Sequence, residues 1–126
     1  MSAAEPRNEE IVATEQLPRW ILHIESSPVN RDPETLAEFN RWYDEEHVPE
    51  MVAFEGYLSG RRLEPVGDDG PYIAQYVIEG DPEVILDRVK AASAAGELKM
   101  SETLQMNPTP KMRLMRVSFE YEKPRR

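Results

Sequence analysis

Phe39-Asn40-Arg41-Trp42-Tyr43-Asp44-Glu45-Glu46-His47-Val48-Pro49-Glu50-Met51 is the stretch around which the chain is organised. Leu36, Phe39, Tyr43 and His47 recur at intervals of three and four residues, the spacing that lines one face of an α-helix, so a histidine ends an otherwise apolar, core-facing stripe. Pro49 biases Val48 away from helical dihedrals, so His47 is expected to be the last or next-to-last helical residue, with its imidazole at the mouth of whatever the helix covers. Two roles suit that place. An imidazolium near a helix C-terminus, among Asp44, Glu45, Glu46 and Glu50, is stabilised without reacting, and from spacing alone this capping role is the ordinary one. Proton transfer is the other. Trp42 lies off the stripe and reads as a packing or dimer-contact residue.

The 126 residues suffice for one domain with a real core. A formal charge of −9 and a pI near 4.7 argue against a nucleic-acid backbone or an anionic membrane as partner, because both would be repelled. The absence of cysteine excludes disulfides, thiolate metal sites and cysteine nucleophiles, and fits a cytoplasmic home. Neither a signal peptide nor a membrane-length apolar run is present, so the chain reads as soluble.

In chain order, residues 1–16 are acidic and poor in bulky apolar side chains, and are expected to be a disordered tail. A single domain over residues 17–122 follows, ending in a charged tail, 123–126. The run Arg19 to Glu25 is a strand whose alternation puts Ile21, His23 and Glu25 on one face and Trp20, Leu22 and Ile24 on the other. Asp32-Pro33 starts the central helix, which should run to about Glu46. Tyr57 to Pro65 and Tyr72 to Glu79 are strands joined through Gly67-Asp68-Asp69-Gly70, a hairpin signal. Asp81-Pro82 starts a second helix that Gly96 ends, and Met112 to Glu122 alternates as a last strand. Between them, residues 97–111 read as a short helix or a packed loop, a candidate lid.

Strand, helix, strand, strand, helix, strand is the order of an α+β, ferredoxin-like βαββαβ domain, with two helices on one face of a four-stranded antiparallel sheet. Apolar residues face both ways, Trp20 with Ile21, and Ile73 and Val77 with Tyr76 and Ile78, and one helix layer covers only one face. The other face is expected to be buried against a second copy, making a homodimer.

The block Phe39-Asn40-x-Trp42-Tyr43-x-x-x-His47-x-Pro49, followed by Gly56-Tyr57-Leu58-Ser59-x-Arg61-Arg62 and Tyr72-Ile73-Ala74-x-Tyr76, resembles the dimeric α/β-barrel superfamily, and within it the EthD-like branch. The resemblance spans roughly Trp20 to Glu79 and implies a ferredoxin-like protomer, a dimer joined through its sheets, and a small pocket between helices and sheet. Relatives of that kind include polyketide cyclases, anthrone dehydratases, muconolactone isomerases and quinone-forming monooxygenases that work without a cofactor, and members with no known reaction. It also implies weight on His47 and Tyr43, which occupy helix positions that carry acid and base roles in several relatives.

The expectation is therefore a cofactor-independent enzyme of lyase, cyclase or isomerase type acting on an apolar, oxygenated, aromatic small molecule. His47 would move a proton and Tyr43 would hydrogen-bond to the oxygen where charge develops. His23, Glu25, Phe39, Arg61, Arg62 and Tyr76 complete the candidate substrate contacts, with one of the two arginines facing the helices and the other the dimer. An inward guanidinium could fix a carboxylate or phenolate, although an ion pair with Glu25 or Asp44 is its ordinary use. His23-x-Glu25 with His47 could supply three metal ligands, but the spacing matches no metal motif, and none is expected. The alternatives are a non-catalytic small-ligand-binding dimer and a cofactor-free monooxygenase.

Overall fold

Strand β1 (Arg19–Ser26) takes the inner place in the sheet that its apolar character on both faces requires. In the computed structural model, which describes residues 17–125, it pairs antiparallel with β3 (Tyr72–Glu79) on one side and β4 (Lys111–Arg116) on the other, and β2 (Tyr57–Leu63) completes the order β2-β3-β1-β4. Helix α1 (Pro33–Trp42), with its continuation, and helix α3 (Pro82–Ala94) connect these strands, giving the ferredoxin-like α+β fold. The acidic segment 1–16 lies outside the described residues. No helix among the described residues is long and apolar enough to cross a membrane.

Helix α3 starts where the sequence signals it. Asp81 accepts a hydrogen bond from the Glu83 backbone N–H at 3.0 Å, Pro82 opens the first turn, and Gly96 at φ +74° follows the end. The central helix behaves differently. It does not stop before Pro49: a π-helical turn (Tyr43–His47) leads into a short helix α2 (Val48–Val52), with the Val48 N–H bonded to the Tyr43 carbonyl. Proline lacks the donor for a regular turn and crowds the carbonyl four residues back, and a turn widened by one residue relieves both conflicts. His47 consequently lies inside a continuous helical element rather than at its end.

Two strands are shorter than their alternation suggests. Strand β4 stops at Arg116 because its last partner is Trp20, at the start of β1, although Val117, Phe119 and Tyr121 continue the pattern beyond it. Strand β2 ends at Leu63. Residues 97–110 form a packed loop rather than a helix, and Lys111 already belongs to β4. Leu104 is buried and bridges Pro28, and the Thr103 and Ser27 carbonyls accept from the Val29 and Gln105 N–H groups at 2.8 and 2.9 Å.

The core lies on the helix side of the sheet. Leu22, Tyr72, Ala74, Tyr76 and Ile78 meet Phe39, Trp42, Tyr43, Met51 and Ile85 there. The opposite face carries half-buried Ile21, Ile73 and Val77, and among the described residues no helix lies over them.

Candidate functional site

The helix-side interior is aromatic but not apolar. Phe39 packs edge-on against Tyr43 and Tyr72, each at 5.3 Å between ring centroids, and Tyr57 packs edge-on against Tyr76 at 5.4 Å. The hydroxyls of Tyr43, Tyr57 and Tyr76 are thereby drawn into the space between helix and sheet. Burial raises all three phenols, Tyr57 to about 12, so each is a protonated hydrogen-bonding group at neutral pH. Tyr43 has a partner, the buried Ser26 hydroxyl at 2.9 Å. Tyr57 and Tyr76 have none among the described residues.

A β-bulge decides which arginine joins them. Tyr57 pairs with Ile78 and Ser59 with Val77, so Leu58 is an extra residue in the ladder. Strict alternation from Tyr57 would send Arg61 toward the helices. The bulge reverses the phase, and Tyr57, Gly60 and Arg62 share the inner face through their partners Ile78, Tyr76 and Ala74. The Arg62 guanidinium carbon lies 4.4 Å from the Tyr43 ring centroid and 5.5 Å from those of Phe39 and Tyr72, a cage of three rings. Its Nη1 donates to Asp44 at 2.9 Å, while Nε and Nη2 are buried without a protein partner.

His47 stacks on Trp42 at 4.6 Å and 22° and meets the Tyr43 ring edge-on at 5.3 Å. Trp42 is fully buried, and its indole N–H donates to the Lys99 carbonyl at 2.8 Å, so it packs within the protomer core rather than at a dimer contact. The surrounding carboxylates do not govern the imidazole: burial alone lowers its pKa to about 4. A capping imidazolium is therefore not what this residue provides. It is a neutral ring whose Nδ1 is buried and unpartnered.

Of the residues picked out by sequence, Phe39, Tyr43, His47, Arg62 and Tyr76 meet on the helix side. His23, Glu25 and Arg61 lie on the other face. There Gln75 links two of them, at 3.1 Å from His23 Nδ1 and 2.9 Å from Arg61 Nε, and Glu25 stands 3.6 Å from His23 Nε2. The sheet thus separates His23 and Glu25 from His47, and among the described residues no group of three His, Cys, Asp or Glu side chains is placed to hold a metal. Residues 105 and 108–111 of the loop expected as a lid line a different hollow, of about 340 Å³, with Glu25, Ser26 and Ser27. Tyr57 and Ser26 were not singled out from sequence. Tyr57 needed the bulge, which no residue pattern announces, and Ser26 needed the register that sets β1 against the central helix.

No protein-family model matches the chain, and no curated protein matches it. Its fold is similar to that of a crystal structure described as a "putative monooxygenase" from Shewanella loihica PV-4, with 18% identity, 82% of this chain and 98% of that one covered, and a TM-score of 0.53. At that identity the likeness is one of fold alone.

Proposed function

We propose that the protein is a cofactor-independent enzyme of the dimeric α/β-barrel type, related to the EthD-like branch, that moves a proton on an apolar, aromatic, oxygenated small molecule. The observation that carries this reading is the set of five buried polar atoms without protein partners: His47 Nδ1, Tyr57 OH, Tyr76 OH, and Arg62 Nε and Nη2. Each such group costs about 1–3 kcal/mol in a folded core, and five of them on one side of the sheet support a site in which a polar ligand satisfies them. Neutral His47, in the tautomer that leaves a lone pair at Nδ1, can take a proton from carbon there and return it from the imidazolium. Tyr43 orients the pair, held by Ser26 and touching both the His47 ring and the Arg62 guanidinium. Dehydration, aldol-type cyclisation or cleavage and isomerisation all begin with this step.

The uncovered face with Ile21, Ile73 and Val77 would be closed by a second copy, giving a cytoplasmic homodimer. A second reading, oxygen insertion without a cofactor, draws support from the description of the Shewanella structure. One experiment separates them. The protein is incubated in D2O with a panel of enolisable aryl ketones and anthrones, and deuterium at the α-carbon is followed by NMR while dissolved oxygen is monitored. Exchange catalysed without oxygen uptake, and lost in His47→Phe, is the expected result. Oxygen consumption without exchange would favour the second reading, and neither activity across the panel would favour a non-catalytic binding dimer.

A further inference from the structure

The Arg62 side chain is an unusual object for a core. A guanidinium presents its donors along defined edges, and the edge formed by Nε–H and Nη2–H is the fork that receives two oxygen lone pairs side by side. In this protein that fork is the unsatisfied part. Asp44 takes Nη1 at the outer end, from an exposed position where solvent weakens the pairing, whereas Nε and Nη2 are buried without a protein acceptor. The rings of Phe39, Tyr43 and Tyr72 offer their faces to the cation, which offsets part of the desolvation without occupying either donor direction. The unpartnered Tyr76 phenol feels the same guanidinium: Arg62 is the one neighbour that opposes the rise in its pKa.

The outer side of the guanidinium has the opposite sign. A cleft of about 480 Å³ beside the guanidinium is lined by Asp44, Arg62, Leu63 and Glu64, and the chain as a whole carries −9. Two carboxylates in that cleft disfavour a ligand that arrives near Arg62 as an anion, while the unpartnered donors of the interior favour negative charge. A neutral molecule that becomes negative after binding satisfies both conditions.

Resting on the proton-transfer reading above, we propose that Arg62 is a catalytic residue, the oxyanion holder of the site, and that the substrate enters as an uncharged ketone or phenol. Removal of a proton from the carbon beside the carbonyl leaves its electron pair to form the new C=C bond. The carbonyl π pair moves onto oxygen, which becomes an enolate or phenolate. The proton resides on the base until it returns to the product. The new oxyanion lies on the Nε/Nη2 fork, with the Tyr76 hydroxyl as a further donor. Donors fixed in a water-poor interior before charge appears supply this stabilisation without reorganising. A hydroxyl already bonded to Ser26, as in Tyr43, is less free for the task.

The test uses 4-nitrophenol, whose neutral and ionised forms absorb at different wavelengths, in a buffer where the free dye is mostly protonated. The full-length protein should bind it saturably and hold it as phenolate, with its ionisation constant raised at least about tenfold. Arg62→Met, which keeps the stem under the rings and removes the fork, should lose that shift. Arg62→Lys, which keeps the charge but not the two-donor edge, should retain a minor part of it and guards against a folding defect in the first variant. Benzoate, an anion throughout, should compete at least about tenfold more weakly than the dye. Dye bound in its neutral form, a phenolate shift unchanged in both Arg62 variants, benzoate competing equally, or no saturable binding would each overturn the proposal. Deuterium exchange dependent on His47 would stand or fall separately, so failure of the fork is distinguishable from failure of the proton-transfer reading.

Discussion

Gly60 lies against the ring of Tyr76: a Cβ at residue 60 would stand 2.9 Å from Tyr76 Cδ1 and 3.1 Å from Val48 Cγ1. Tyr76 is completely buried, so its ring cannot swing away. The absence of a side chain on β2 thus allows a phenol to lie flat across the strand and α2 to pack above it. Gly60→Ala should destabilise by about 1–3 kcal/mol through overpacking and should displace the Tyr76 hydroxyl. Urea unfolding gives the first quantity. A Gly60→Ala protein as stable as the parent would mean that Tyr76 has room the packing does not suggest.

The buried imidazole makes stability depend on acid. His47 has a pKa of about 4 when folded and an ordinary value near 6.5 when unfolded, so below the latter the unfolded chain binds the extra proton. Its contribution is complete above about pH 6.5 and is lost as pH falls toward 4, by about 3 kcal/mol at full extent. His47→Phe keeps an aromatic ring beside Trp42 and removes the titration. Urea midpoints taken between pH 7.5 and 4.5 should fall more steeply for the parent than for this variant, and parallel curves would place His47 in contact with solvent. The same burial sets the catalytic profile: kcat/KM should rise with pH through an ionisation near 4 rather than near 6.5.

Tyr43→Phe removes the partner of the buried Ser26 hydroxyl and should cost about 1–2 kcal/mol. Ser26→Ala should cost a similar amount, and the double variant clearly less than the sum, because the second change removes a group the first had stranded. Additive losses in a thermal-unfolding cycle would show that the 2.9 Å contact contributes nothing in solution.

Val77→Glu probes the face without helices. It places a carboxylate on β3, opposite Ile21, on the side where Ile21 and Ile73 are half-buried. Sedimentation should give twice the 14.5 kDa chain mass for the parent and the single mass for the variant, with the far-UV spectrum unchanged. A parent protein that sediments as a monomer at micromolar concentration would remove the reason for closing this face with a second copy.

Much of this architecture was legible because it rests on local rules. Asp81-Pro82, Gly96 and the alternation of β1 and β3 each specify a boundary or a face by chemistry confined to a few residues, and the order of elements follows from them. The misreadings occurred where a long-range constraint overrode a local one. Pro49 ordinarily ends a helix, yet packing of Met51 into the core favours continuing it, and a widened turn accommodates both. Among the described residues the Val117, Phe119 and Tyr121 alternation has no partner strand to extend β4. For the site, the stripe placed Phe39, Tyr43 and His47 correctly on the inner face. Assigning His23 to the same pocket failed because β1 turns that side chain away from the helices. The choice between Arg61 and Arg62 depended on a single unpaired residue.

That unpaired residue, Leu58, also bears on how relatives of this chain should be compared. Across the bulge, equal sequence spacing no longer means equal orientation. A relative whose strand lacks the extra residue, aligned without a gap, would match its outward side chain to Arg62 and its inward one to Arg61. The arginine would then look absent from a protein that has it, or present in one that does not. Alignments through β2 need a gap at residue 58 before any residue there is compared, and a deletion of Leu58 in the laboratory would exchange the interior and exterior of half a strand without altering one functional side chain.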